Sequence, residues 1–193
     1  MEVLGKILGS GAKVKIMRLF LLNKNKDFTA KEIVKRSRVS PDTARRELRL
    51  LKSIDFVKRR SKGWIFSYDF KYAKELEGLL ISVDTLNKET ILKSFKKAGK
   101  VKLIIIAGIF IKNKDSRVDL LIIGDKMRKN QIGEGIRKLE AEIGTELTYA
   151  VFETKEFLYR LDIYDKLVRD ILDFPHEIVL QAKELSTQVL KKP

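Results

Sequence analysis

Ser40-Pro41-Asp42, followed at once by Thr43-Ala-Arg-Arg-Glu-Leu-Arg-Leu-Leu51, is the stretch that most constrains the fold of this 193-residue chain. A serine that can accept a free backbone N–H, a proline whose fixed φ suits the first helical position and an acid in the first turn together mark a helix start. The spacing predicts a helix from there to about Ile54. At 100° per residue, Ala44, Leu48 and Leu51 share one stripe, and Asp42, Arg45, Arg46 and Arg49 take the opposite face. One side must pack against other elements, while the other turns three arginines outward.

Upstream, Val14, Ile16, Met17, Leu19, Phe20 and Leu22 recur densely enough for a helix that buries most of its surface, ended by the polar turn 23–27. Thr29 with Glu32 three residues on is a capping-box pattern, so a second helix is predicted through Ile33 and Val34 towards Arg38. Downstream, residues 57–60, a Ser61-Lys62-Gly63 turn and residues 64–70 read as a β-hairpin. Alternation places Trp64, Phe66, Tyr68 and Phe70 on one face of it, as hairpin core.

Charge points to a partner for this region. The chain carries 41 Lys/Arg against 26 Asp/Glu, a net charge of +15, which favours a polyanion, either nucleic acid or an anionic membrane surface. Residues 1–70 hold 18 Lys/Arg against 7 Asp/Glu, and residues 71–193 hold 23 against 19. The attraction is concentrated in the first third.

Three helices, a short turn before an arginine-bearing third helix and a following hairpin resemble the winged helix-turn-helix domain of bacterial and archaeal transcription regulators. The stretches Thr29-Ala-Lys-Glu-Ile33 and 40–51 are similar to that family's second and third helices, and the likeness covers about residues 10–70. It implies double-stranded DNA binding, with the third helix in the major groove, where an arginine fork can meet the two acceptors of guanine. The DNA-contacting residues it implies are Arg45, Arg46 and Arg49 on the helix, with Ser40 and Thr43 near its N-terminus as phosphate donors. Lys58, Arg59, Arg60 and Lys62 on the hairpin would reach phosphates or an adjacent minor groove.

Residues 71–100 place Leu76, Leu79, Leu80, Leu86, Ile91, Leu92 and Phe95 at spacings that predict one or two amphipathic helices, an ordered linker that can support a homodimer. Beyond it, residues 101–107, 118–123 and 147–152 read as strands, and residues 131–143 as a helix between the second and third. Helices containing residues 157–161 and 164–172 follow, and residues 181–193 read as a helical or frayed tail.

This order, with Ala107-Gly108 closing the first strand and Asp119-Leu-Leu-Ile-Ile-Gly124 forming the second, resembles the minimal nucleotidyltransferase domain of the DNA polymerase β-like superfamily. In active members a Gly-Ser pair cradles a phosphate, and an Asp-x-Asp with a third carboxylate holds divalent cations for phosphoryl transfer. Here the serine position is Ile109, Asp-x-Asp reads Arg117-Val118-Asp119, and residues 147–151 offer no third acid. Asp119 is the remnant of the metal-binding set. Asp115 stands four residues away, about 13 Å along an extended strand, against about 4 Å between paired catalytic metals. Arg117 is expected to pair with Asp119 or to offer a cationic contact to a phosphate-bearing ligand.

The chain has no cysteine, hence no disulfide or thiolate zinc site, and its single histidine, His176, cannot form a histidine cluster. No P-loop or Ser/His/Asp set is present. The N-terminus lacks a signal-peptide layout, and the longest apolar run, 103–111, is interrupted by Gly108 and too short to span a bilayer. The expectation is an α+β protein, cytoplasmic and without a membrane partner: an N-terminal winged helix-turn-helix in residues 1–70, a helical linker in 71–100 and a small α/β nucleotidyltransferase-like domain in 101–180. It is expected to regulate transcription, with no catalytic residues, cofactor or metal. The second domain would then serve dimerisation, partner binding or ligand sensing. The alternative is a nucleotidyltransferase that modifies a protein partner, in the manner of an antitoxin. A third reading makes the winged helix a protein-docking adapter.

Overall fold

The computed structural model describes residues 3–81, 88–113 and 115–186. The fold is mixed α+β and comprises two compact units. The first is built from residues up to 81 together with Arg137–Glu146, and the second from the remaining described residues.

In the first unit a short helix α1 (Val3–Ile7), which sequence reading did not anticipate, precedes α2 (Gly11–Leu22), α3 (Ala30–Ser37) and α4 (Pro41–Ser53). Ser10 caps α2, its hydroxyl accepting the Lys13 N–H at 3.1 Å. The Thr29–Glu32 capping box is formed in both directions, and α3 ends at Arg38 in the left-handed region, φ 53°. Ser40 caps α4 with Pro41 at the first position, as its sequence dictates. Val14, Ile16, Met17, Leu19, Phe20 and Leu21 make α2 buried almost all round. Around it pack Ile33 of α3 and the Ala44, Leu48 and Leu51 stripe of α4.

The hairpin pairs β1 (Val57–Arg60) with β2 (Gly63–Phe66), and Phe28 adds a bridge to Trp64 through two backbone hydrogen bonds of 2.8 Å. Gly63, at φ +153°, lets the Phe28 backbone approach, since a Cβ there would stand 2.4 Å from the Phe28 oxygen. The expected aromatic stripe is corrected at Tyr68, which is 61% exposed, because the strand stops at Phe66 and consecutive Ile65 and Phe66 are both buried. Trp64, Phe66 and Phe70 do pack on the core, where Phe56 joins them, edge-on to Phe66 at 5.4 Å and to Phe70 at 5.2 Å. Helix α5 (Ala73–Leu80) folds with this unit and α6 (Lys88–Phe95) with the second. Leu86 lies outside the described residues.

The second unit holds a four-stranded sheet in the order β5-β4-β3-β6, with β3 (Lys100–Ile106), β4 (Leu120–Asp125), β5 (Tyr149–Glu153) and β6 (Glu177–Gln181). β3 runs antiparallel to β4 and β6, and β4 parallel to β5. Parallel neighbours need a crossover, supplied by α7 (Lys129–Ile143). The central strands β3 and β4 bury residues of both faces, so Leu103–Ile106 and Leu120–Ile123 are continuous apolar runs without alternation. α8 (Thr154–Asp162) and α9 (Lys166–Asp173) cover one face, with Phe157, Leu161, Val168 and Ile171 on Leu103, Ile105, Leu121 and Ile123. The expected tail is also corrected. β6 extends to Gln181, a 3-10 turn follows at Lys183–Leu185, and Leu185 is buried in this core. Residues 187–193 of that tail lie outside the described ones. Among the described residues no helix is long and apolar enough to cross a membrane.

Candidate nucleic-acid interface

Helix α4 exposes Arg45, Arg46 and Arg49 while burying Ala44, Leu48 and Leu51. Their internal commitments are weak. Arg45 pairs with Asp42 at 3.0 Å, but both side chains are largely exposed, and an (i, i+3) pair of this kind is worth only about 0.2–0.5 kcal/mol. A bidentate arginine–guanine contact is worth about 1–3 kcal/mol, more than such a pair, so the pair does not commit Arg45 to Asp42. Arg49 has no ion pair or hydrogen bond through its side chain to a described residue.

Arg46 is different, because its neighbour Glu47 is buried, a feature the sequence did not disclose. The Glu47 carboxylate accepts the Ser10 hydroxyl at 2.8 Å and lies 3.3 Å from Arg46. Ser10 is itself the α2 cap, so one hydroxyl joins the start of α2 to the middle of α4. The orientation of the arginine face is thereby tied to the core helix. The Ser40 hydroxyl donates to the Thr43 hydroxyl at 2.8 Å and accepts the Thr43 N–H at 3.2 Å, leaving both residues at the exposed N-terminal end of α4.

On the hairpin Lys58, Arg59, Arg60 and Lys62 are all exposed. Lys58 pairs with Asp69, and the Arg59 guanidinium stands 5.8 Å from the Trp64 ring centre, a cation–π contact that steadies the strand. The α4 arginines and these four cations belong to one compact unit.

The second candidate site centres on Asp119. Its Oδ1 accepts the Ile109 N–H at 2.8 Å and its Oδ2 accepts the Thr148 N–H at 2.9 Å. One carboxylate thus holds the 3-10 turn Gly108–Ile111 to the approach to β5. Gly108, at φ +52°, is needed because a Cβ would stand 2.1 Å from Asp119 Oδ1. The expected Arg117–Asp119 pair does not form. Arg117 pairs instead with Asp170 of α9, because both Asp119 oxygens are turned towards backbone donors. Asp115 is exposed, its N–H bonded to the Asn113 side chain. Among the described residues no group of three His, Asp or Glu side chains stands close enough to hold a metal ion. Asp119→Ala is expected to leave two backbone N–H groups without their partner, at about 1–3 kcal/mol each when shielded from water. Urea unfolding would show the loss, whereas a carboxylate whose role is only catalytic would leave the midpoint unchanged.

A third cluster is structural. Lys102, 8% exposed on β3, pairs with Asp125 at 2.8 Å and with Glu184. Hydrogen bonding from Lys102, then from Thr154, holds the Asp125 carboxyl down at about 2, and Lys102 also lowers Glu184. A carboxyl depressed in the folded state adds stability above its unfolded value near 4, and that contribution disappears as pH falls towards 2. The thermal midpoint is therefore expected to fall between about pH 4 and pH 2, and Lys102→Met should flatten that fall. An equally steep profile in the variant would refute the assignment.

Compared with known proteins, the chain matches no family model, no curated protein and no solved structure. The functional reading therefore rests on these residues.

Proposed function

We propose that this protein binds double-stranded DNA sequence-specifically, as a transcription regulator, with α4 in the major groove and the β1–β2 hairpin on the backbone or an adjacent minor groove. The observation that carries this reading is the division of α4. Three outward arginines lie on a helix capped at Ser40, buried along Ala44, Leu48 and Leu51, and fixed through Glu47 to the cap of α2. Three helices followed by an antiparallel hairpin support a winged helix-turn-helix.

The second unit takes no part in phosphoryl transfer on this reading. Its likeness to a nucleotidyltransferase is to a degenerate one, since the remnant Asp119 is engaged by two N–H groups and Arg117, in the place of a metal-binding acid, is committed to Asp170.

Fluorescence anisotropy of labelled duplexes tests the binding. Binding at about 100 mM salt is expected, with log K falling linearly against log salt, about 0.9 per phosphate neutralised. Absence of binding to any genomic fragment at that salt would end the proposal.

A further inference from the structure

The second unit carries a concentration of positive charge that the near-balanced composition of residues 71–193 conceals. Residues 96–100 leave α6 and enter β3; residues 126–129 leave β4 and enter α7. The β3–β4 register sets Lys100 opposite Asp125, and the Arg128 N–H donates to the Ala98 oxygen at 2.8 Å. Gly99, at φ +123°, sits so close that a Cβ would be 2.6 Å from the Lys126 oxygen. The two stretches are locked side by side, with Lys96, Lys97, Lys100, Lys126, Arg128 and Lys129 all exposed.

None of these six side chains has an ion pair or hydrogen bond to a described residue. The adjacent acids are otherwise engaged. Asp125 and Glu184 both pair with Lys102, though Glu184 also feels the charge of Lys100. Like charges held on two interlocked loops repel one another, and a polyanion laid across them relieves the repulsion. A phosphate backbone fits, since it presents many anions to flexible Lys and Arg side chains. An anionic membrane fits less well, because surface binding is reinforced by apolar side chains reaching below the headgroups. None of the large exposed hydrophobic residues falls within 96–100 or 126–130.

We propose that this face of the second unit is a further nucleic-acid contact, holding DNA phosphates without reading sequence. The inference rests on the DNA-binding reading for the identity of the polyanion, but on none of the α4 residues.

The test compares three full-length proteins on labelled cognate and unrelated duplexes: wild type, the α4 variant Arg45→Ala/Arg49→Ala, and the patch variant Lys97→Gln/Lys100→Gln/Arg128→Gln/Lys129→Gln. All four patch positions are exposed, and circular dichroism melts check that the variant folds. Titrations from about 50 to about 300 mM salt should show the slope of log K against log salt shrinking by about two to four in the patch variant. Affinity at about 100 mM salt should fall at least ~10-fold, alike on both duplexes. Unchanged slope and affinity would overturn the proposal while leaving the α4 reading intact. Loss in the patch variant with wild-type binding in the α4 variant would uphold the patch and overturn α4 recognition. A wild type that binds no duplex would overturn both. Co-sedimentation with phosphatidylserine–phosphatidylcholine vesicles, lost in the patch variant while DNA binding is retained, would assign the face to membranes and overturn the proposal.

Discussion

Replacing Arg45 and Arg49 together by alanine is expected to weaken binding to a cognate duplex at least ~100-fold, and to an unrelated duplex far less, because base-edge contacts of about 1–3 kcal/mol each are lost. The ratio of the two affinities is the informative quantity. A phosphate contact would reduce both alike and lower the salt slope by about one per residue. Arg49 should matter most, since it has no internal acid to leave, and Arg46 least, since it is drawn towards buried Glu47. Equal losses on every sequence would make α4 a general anion surface.

Arg18→Ala is expected to produce the largest loss of stability, about 3 kcal/mol or more, seen as a lower urea midpoint. This arginine of α2 is 1% exposed. Its Nε donates to the Leu80 oxygen at 2.7 Å and one Nη to the Glu142 oxygen at 3.0 Å. Those oxygens belong to the last turns of α5 and α7, where helical carbonyls lack internal donors and a cation meets the negative end of the dipole. Asn23 adds a 2.9 Å bond to the Gly144 oxygen, and Lys15 pairs with Glu142 at 2.6 Å. Gly144, at φ +96°, is packed so tightly that a Cβ would stand 2.6 Å from the Arg18 carbonyl carbon. Gly144→Val should therefore also destabilise, through backbone strain and overlap. Lys24→Ala, which removes a partly exposed pair with Glu77, should cost less than about 1 kcal/mol. If Arg18→Ala were no worse than Lys24→Ala, the buried guanidinium would not be what joins these helices.

The elements legible in the sequence are those written in local chemistry. Ser40-Pro41 and Thr29-x-x-Glu32 fix helix starts within a few residues, and both caps form. The β-branched runs of β3 and β4 show themselves because both faces are buried. What escaped reading depends on partners distant in the chain. Glu47 looks like a solvated acid on a charged helix, and the hydrogen bond that it accepts when buried comes from Ser10, 37 residues away. Arg117 stands beside Asp119, but the choice of Asp170 depends on where α9 lies. β6, short and preceded by Pro175, is a strand because β3 offers it an edge. The cations of 96–100 and 126–129 look like ordinary surface charges until the β3–β4 register sets them side by side.

The most direct measurement of the central claim is methylation protection on a duplex selected from a random pool. Arginines of α4 that read guanine in the major groove occupy its N7, so specific guanines should resist dimethyl sulfate in the complex and become reactive again with Arg49→Ala. Binding that selects no motif, or leaves every guanine N7 reactive, would contradict recognition by α4.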